Sequence, residues 1–185
     1  FLAPGVSAVY SKHAFAVYML SVQAVGATHL ETPARDFGHD LDAMAAAIRD
    51  DTRVVFIANP NNPTGTFLQG DALLAFLRKV PRRVIVVLDE AYTEYLGPED
   101  RYDSIAWLKE FPNLVVSRTF SKAYGLAGLR VGFAFAHPDV ADLMNRVRQP
   151  FNVNSVAQAG AIASLSDSDY LDRSREVNAE GMRLC

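Results

Sequence analysis

Stretches of consecutive apolar residues alternate along the chain with stretches whose apolar residues recur at helical spacing. Continuous runs rich in Val, Ile and Leu predict strands, and recurrence every three or four residues predicts helices. The predicted strands lie at residues 6–10, 28–31, 53–58, 84–88, 114–117 and 131–136. The predicted helices lie at residues 15–25, 40–48, 69–79, 138–147, 155–165 and from 168 onward.

Strands that are apolar throughout and separated by helices are typical of a mostly parallel sheet with helices on both faces. The sequence therefore predicts an α/β fold in three layers, α/β/α. We expect Gly26 to end the first helix and Asp40 to cap the second. The apolar stripe of the third helix consists of Leu73, Leu74, Phe76, Leu77 and Val80.

The composition is that of a globular protein of one domain. The chain has 185 residues, of which 50% are hydrophobic and 21% charged, and this balance excludes a disordered chain. The net charge of −3 is unfavourable for binding nucleic acid or an anionic membrane. No apolar run approaches the roughly 18 residues that span a bilayer. We therefore expect no nucleic acid and no membrane as partner.

Cysteine and histidine give no sign of a metal site. The single cysteine, Cys185, excludes a disulfide framework and suits a reducing compartment, so we expect a cytoplasmic protein. The four histidines lack the spacing of metal ligands and are expected to be ordinary polar or capping residues.

Both ends of the chain lack the signals of a complete protein. The first residues include no initiator Met and no signal peptide, and the last ones stop inside the helical pattern at 170–184. We therefore expect residues 1–185 to be one domain, truncated at both ends, from a longer protein.

Polar residues gather where three of the predicted strands end, and ligands of parallel α/β sheets bind at that edge. The segment after the strand at 53–58 is Asn-Pro-Asn-Asn-Pro-Thr-Gly, residues 59–65. Its prolines and glycine fix the backbone, and its asparagines supply amide donors and acceptors. The segment is either part of a ligand site or a turn that caps the next helix.

Asp89, Glu90, Ala91 and Tyr92 follow the strand at 84–88. A carboxylate at the end of a buried strand needs a partner, because burial of an unpaired charge is costly. A cationic ring nitrogen of a ligand is one candidate partner for Asp89. A helix N-cap or an ion pair with an arginine is the structural alternative, and Glu90 is interpreted as structural.

Residues 117–122 follow the apolar run 114–116 of the fifth predicted strand, and Arg130 comes after a turn that contains glycines. A lysine just past a buried strand can present its amine in a cleft, beside hydroxyls and an arginine that can hold a phosphate. That arrangement suits a cofactor bound through a Schiff base. A solvated loop lysine is the alternative, and Arg118 is a candidate for a structural ion pair.

The order and spacing of these segments resemble the large domain of fold-type I pyridoxal-phosphate aminotransferases. Within that superfamily the chain is most similar to the histidinol-phosphate aminotransferases. The matching stretches are residues 13–18, 59–65, 89–92, 119–123 and 125–133.

The resemblance implies roles for seven residues toward the cofactor pyridoxal 5′-phosphate (PLP). Lys122 would form the Schiff base and move a proton between the substrate Cα and the cofactor C4′, and Asp89 would pair with the pyridinium nitrogen. Tyr92 and Asn62 would bind the phenolic oxygen. Ser121 and Arg130 would hold the phosphate, and Phe15 would stack on the ring. Tyr18, on the same predicted helix as Phe15, is interpreted as a core residue.

The resemblance also implies a reaction, between L-histidinol phosphate and 2-oxoglutarate in histidine biosynthesis, and a homodimer. Two parts of the family's pattern are absent from these 185 residues. One is the upstream turn that holds the cofactor phosphate, and the other is the small C-terminal domain, whose arginine binds the substrate. An aromatic aminotransferase, a related PLP decarboxylase and a non-catalytic cofactor-sensing domain of a regulator remain alternatives. The isolated domain could also be inactive.

Overall fold

The computed structural model describes residues 1–184, which form eight strands and six α-helices joined by short 3₁₀ turns. The strands are β1 (Ser7–Ser11), β2 (Thr28–Thr32), β3 (Ala34–Arg35), β4 (Gly38–His39), β5 (Thr52–Ala58), β6 (Ile85–Asp89), β7 (Leu114–Thr119) and β8 (Gly132–Ala136). The helices are α1 (Val17–Ala24), α2 (Leu41–Ala46), α3 (Gly70–Lys79), α4 (Pro138–Val147), α5 (Ser155–Leu165) and α6 (Ser168–Leu184).

Six of the strands form one sheet in the order β2-β1-β5-β6-β7-β8. All neighbours are parallel except β7 and β8, which are antiparallel. This confirms the predicted mostly parallel sheet. Because parallel strands end at the same edge, Ala58, Asp89 and Ser117 are direct neighbours across three strands.

Apolar side chains cover both faces of this sheet. Alternate residues of a strand point to opposite faces, and Val55 and Ile57 join one buried cluster while Val54 and Phe56 join another. Helix α3 packs its predicted stripe into the first cluster, and α1 contributes Val22 to the second. Each fully buried apolar side chain contributes about 1.5–3 kcal/mol. One cluster lies on each face of the sheet, between the sheet and the helices that cover that face, and the fold therefore has three layers.

The element boundaries agree with the sequence in most places. Asp40 caps α2, since its carboxylate accepts hydrogen bonds from the backbone N–H groups of Asp42 and Ala43. His137 caps α4 by accepting from the N–H of Asp139, as expected of a capping histidine. The first helix is shorter than predicted, because residues 15 and 16 form a turn before α1.

The β3–β4 hairpin was not predicted, because its two strands have two residues each and show no periodicity. Within residues 1–184, no helix is both long and apolar enough to cross a membrane.

Candidate functional site

A cavity of about 100 Å³ lies at the carboxyl edge of β5 and β6. It is lined by five of the seven residues that the sequence predicted. These are Phe15, Asn62, Asp89, Tyr92 and Lys122. The remaining lining residues are Tyr18, Ala58, Pro60 and Ala91. The loops that follow three different strands therefore meet at one place, as the parallel topology requires.

Asp89 is held from two sides. Its Oδ2 accepts a 2.7 Å hydrogen bond from the hydroxyl of Tyr18, and its Oδ1 accepts from the backbone N–H of Ala91. Burial raises the pKa of Tyr18, and the charge of Asp89 raises it further, so this hydroxyl remains a protonated donor. The structural alternative of an Asp89–arginine pair is wrong, since the nearby guanidinium of Arg118 binds Glu90 instead.

Tyr18 is thus more than the core residue that the sequence suggested. It is buried and stacks on Phe56, as a core residue would, but its hydroxyl reaches the site carboxylate. The helical pattern revealed the burial of Tyr18. It could not reveal the hydrogen bond, because Tyr18 and Asp89 are 71 positions apart.

Asn62, Tyr92 and Lys122 lie together on another side of the cavity. The amide of Asn62 donates a 3.3 Å hydrogen bond to the hydroxyl of Tyr92. The Nζ atom of Lys122 lies 5.3 Å from the centre of the Tyr92 ring, within reach of a cation–π contact. The Lys122 side chain is exposed, so its amine is accessible at the cavity.

Phe15 presents an aromatic ring to the same cavity. Its ring meets that of Tyr18 edge-on, with centroids 5.8 Å apart, and 38% of the residue is exposed. A partly exposed phenyl ring that lines a cavity can stack on a planar ligand.

The structure does not place Ser121 and Arg130 on this cavity. Ser121 is partly buried, and its backbone N–H donates to the hydroxyl of Thr119. Arg130 has a left-handed backbone with φ of 54°, and its exposed guanidinium donates to the carbonyl of Ala127. Their role as phosphate ligands stays a prediction.

Two other asparagines hold the 59–65 loop in shape. The side-chain amide nitrogen of Asn59 donates to the backbone carbonyl of Leu68, and the side-chain oxygen of Asn59 accepts from the backbone N–H of Leu68. The amide of Asn61 donates to the carbonyl of His13. The alternative in which this loop caps the next helix is wrong, since the N-cap of α3 is Gln69 and that cap has no side-chain hydrogen bond.

The turn after Lys122 requires a glycine at position 125. Gly125 has φ of +70°, a conformation that side chains with a Cβ rarely adopt, and the hydroxyl of Tyr170 occupies the space that a Cβ would need. Helix α6 therefore contacts the loop that carries Lys122. Within residues 1–184, no group of three or more His, Cys, Asp or Glu side chains could hold a metal ion.

Comparison with known proteins gives a consistent result. The profile of the aminotransferase class I and II family matches residues 1–184. A protein of Ralstonia nicotianae, named histidinol-phosphate aminotransferase 2, is 66% identical over 180 residues, which are 97% of this chain and 48% of the relative. The histidinol-phosphate aminotransferase of Methylobacillus flagellatus is also 66% identical, over 99% of this chain and 50% of its own length.

The fold agrees with solved structures of similar proteins. Histidinol-phosphate aminotransferase from Sinorhizobium meliloti, solved in complex with pyridoxal-5′-phosphate, superposes with a TM-score of 0.89 at 35% identity, covering 95% of this chain and 48% of that one. L-threonine-O-3-phosphate decarboxylase from Porphyromonas gingivalis has a TM-score of 0.78 at 26% identity, covering 90% of this chain and 49% of that one. The chain spans about half the length of the curated relatives that it matches.

Proposed function

Since the chain belongs to the aminotransferase class I and II family, we propose that it is the PLP-binding large domain of an aminotransferase. The reaction that we propose transfers an amino group between L-histidinol phosphate and 2-oxoglutarate, a step of histidine biosynthesis. One observation carries the proposal. Asp89, Asn62, Tyr92 and Lys122 line one cavity in a chain that is 66% identical to proteins named histidinol-phosphate aminotransferase.

The groups around the cavity fit PLP. A carboxylate that is fixed by Tyr18 can pair with a protonated ring nitrogen, and an exposed lysine amine can bind an aldehyde carbon. The hydroxyl of Tyr92 and the amide of Asn62 can bind a phenolate oxygen, and the ring of Phe15 can stack on a pyridine. These are the functional groups that PLP presents.

When bound, PLP supplies an electron sink for the electron pair that remains when the Cα–H bond of the amino donor breaks. In the proposed reaction Asp89 holds a proton at the ring nitrogen, and this proton makes the ring a better acceptor. Lys122 would hold PLP through its aldehyde carbon and would move a proton to and from the Cα atom of the amino donor. Asn62 and Tyr92 orient the ring.

Ser121 and Arg130 are proposed as phosphate ligands. Both lie on the chain segment that contains Lys122, and the Arg130 side chain is exposed, so its fork of N–H groups is accessible to a dianion. To hold the phosphate, Arg130 would give up the hydrogen bond that it now donates to the carbonyl of Ala127.

The substrate is tested by assaying the full-length protein with L-histidinol phosphate and with phenylalanine, each with 2-oxoglutarate. We expect turnover of histidinol phosphate with PLP present. Turnover of phenylalanine alone would replace the proposal with an aromatic aminotransferase. Release of CO₂ from a phosphorylated amino acid would indicate the decarboxylase, and PLP binding without turnover of any donor would indicate a cofactor-sensing domain.

The proposed enzyme is a cytoplasmic homodimer. Large apolar side chains at the end of α4 and in the turn after it support an interface with a second copy, since Val147 is 84% and Phe151 98% exposed. We propose the cytoplasm as its location because a single cysteine suits a reducing compartment and because the proposed reaction is biosynthetic.

Replacing Tyr18 by phenylalanine tests how the site carboxylate is held. The variant leaves one oxygen of Asp89 without its donor, so we expect the Kd for PLP to rise about tenfold, by the cost of a lost buried hydrogen bond. The measurement is a PLP titration of the full-length protein. Tyr10→Phe is the matched control, because the hydroxyl of Tyr10 bonds His29 rather than a residue of the cavity. An unchanged Kd in Tyr18→Phe would show that Asp89 is held without this bond.

A further inference from the structure

Three polar residues lie side by side near the carboxyl ends of three neighbouring strands, Asn59 and Glu90 just past β5 and β6 and Arg118 as the penultimate residue of β7. Asn59, Glu90 and Arg118 directly follow Ala58, Asp89 and Ser117, which are partners in the sheet. The backbone hydrogen bonds between the strands continue at this row of three residues. The N–H of Asn59 donates to the carbonyl of Asp89, and the N–H of Glu90 donates to the carbonyl of Ser117. Since side chains alternate between faces, the row points away from the cavity that Asp89 lines.

Glu90 and Arg118 form a buried ion pair within this row. The Glu90 side chain has no exposed surface, and that of Arg118 is 23% exposed. Nε of Arg118 donates a 2.9 Å hydrogen bond to Oε2 of Glu90, and Nη2 lies 2.8 Å from the same oxygen. The pair joins the end of β6, which carries Asp89, to the end of β7, which leads to Lys122.

Tyr102 extends the contact to the third strand end. Its hydroxyl accepts a 2.8 Å hydrogen bond from the amide of Asn59. Burial raises the pKa of Glu90, whereas the hydroxyl of Ser104 and the guanidinium of Arg118 oppose that rise. Burial and the charge of Glu90 both raise the pKa of Tyr102, so its hydroxyl keeps its proton.

A pair of this kind adds little net stability. The free energy needed to remove two charges from water is about as large as the free energy gained from their attraction. Replacing the pair by apolar residues of similar size therefore often leaves a protein equally stable. What the pair does provide is a fixed separation between β6 and β7 at this edge of the sheet, because a charge-assisted hydrogen bond is short and two nitrogens of one guanidinium approach the same carboxylate oxygen.

We infer that Glu90 and Arg118 are positioning residues, which fix the carboxylate of Asp89 and the amine of Lys122 relative to one another. The inference rests on the proposed function, since those two groups are the ones that bind PLP in it. Neither residue lines the cavity. Both act through the strand ends on which Asp89 and Lys122 are placed.

The test compares Glu90→Gln, Arg118→Met and the double variant in the full-length protein. The Kd for PLP is measured from the absorbance band of lysine-bound PLP, near ~420 nm. The free energy of unfolding is measured by urea denaturation without PLP. Lys79→Met is the control, because Lys79 forms an exposed ion pair with Asp42 and neither residue lines the cavity.

We expect each single variant to raise the Kd about tenfold, the effect of leaving one buried partner unpaired. The double variant removes both buried charges, so its unfolding free energy should return toward the wild-type value while its Kd stays raised. Arg118→Lys keeps the charge but replaces the two guanidinium nitrogens that approach Oε2 of Glu90 by one amine, and it should fold and also raise the Kd. It is the variant to use if the others do not fold.

A wild-type Kd in the single variants and in Arg118→Lys, or a double variant that regains both stability and Kd, would overturn the inference. Failure of the proposed function is a different result, because then the wild-type protein itself would show no band.

Discussion

Replacing Lys122 by alanine is expected to abolish covalent binding of PLP and, with it, transamination. The full-length wild-type protein should develop a band near ~420 nm when PLP is added, and the variant should not. Activity should fall at least about a thousandfold, since a positioned acid–base group alone contributes about 10²–10⁴-fold. The variant should fold, because the Lys122 side chain is exposed.

The control for this variant is Lys109→Ala, which removes another exposed lysine, at the end of the 3₁₀ turn Ala106–Lys109. It should retain the band and the activity. A band that persists in Lys122→Ala would show that another amine binds PLP, and the assignment of Lys122 would then be wrong.

Replacing Asp89 by asparagine is expected to separate cofactor binding from catalysis. Lys122 remains, so the protein should still bind PLP covalently. The neutral amide does not keep a proton at the ring nitrogen. The rate of transamination should therefore fall by about 10²–10⁴-fold, which is the contribution that a positioned acid–base group makes to a rate. The measurement is the rate of amino transfer from the donor, with the absorbance spectrum recorded on the same sample.

Asp42→Asn is the matched control for Asp89→Asn. It makes the same chemical change at an exposed carboxylate that pairs with Lys79, and it should leave both binding and rate unchanged. Turnover at the wild-type rate in Asp89→Asn would contradict the role proposed for this carboxylate.

The sequence alone predicted the sheet, most of the helices and five residues that share the cavity. The strands and helices could be predicted because their patterns are local, whereas Phe15 was assigned to the site by the family resemblance alone. Buried strands are continuous apolar runs, as at 84–88, and the loops that follow parallel strands must meet at one edge. Asp89 and Lys122 could therefore be grouped without knowledge of any contact.

The features that the sequence did not predict depend on contacts between distant parts of the chain. Nothing near Tyr18 indicates that its hydroxyl reaches Asp89, and an ordinary core tyrosine would give the same helical pattern. Glu90 and Arg118 were each interpreted as structural residues, but their pairing follows from the register of β6 and β7, which no local pattern encodes.

The central claim is that Lys122 is the residue of this chain that binds PLP, and peptide mapping tests it most directly. The full-length protein would be incubated with PLP, reduced with borohydride to make any lysine linkage permanent, digested and examined by mass spectrometry. The account predicts a pyridoxyl-phosphate mass on the peptide that contains Lys122, at close to one per chain. A label on Lys12, Lys79 or Lys109 instead, or no label on any peptide, would contradict it.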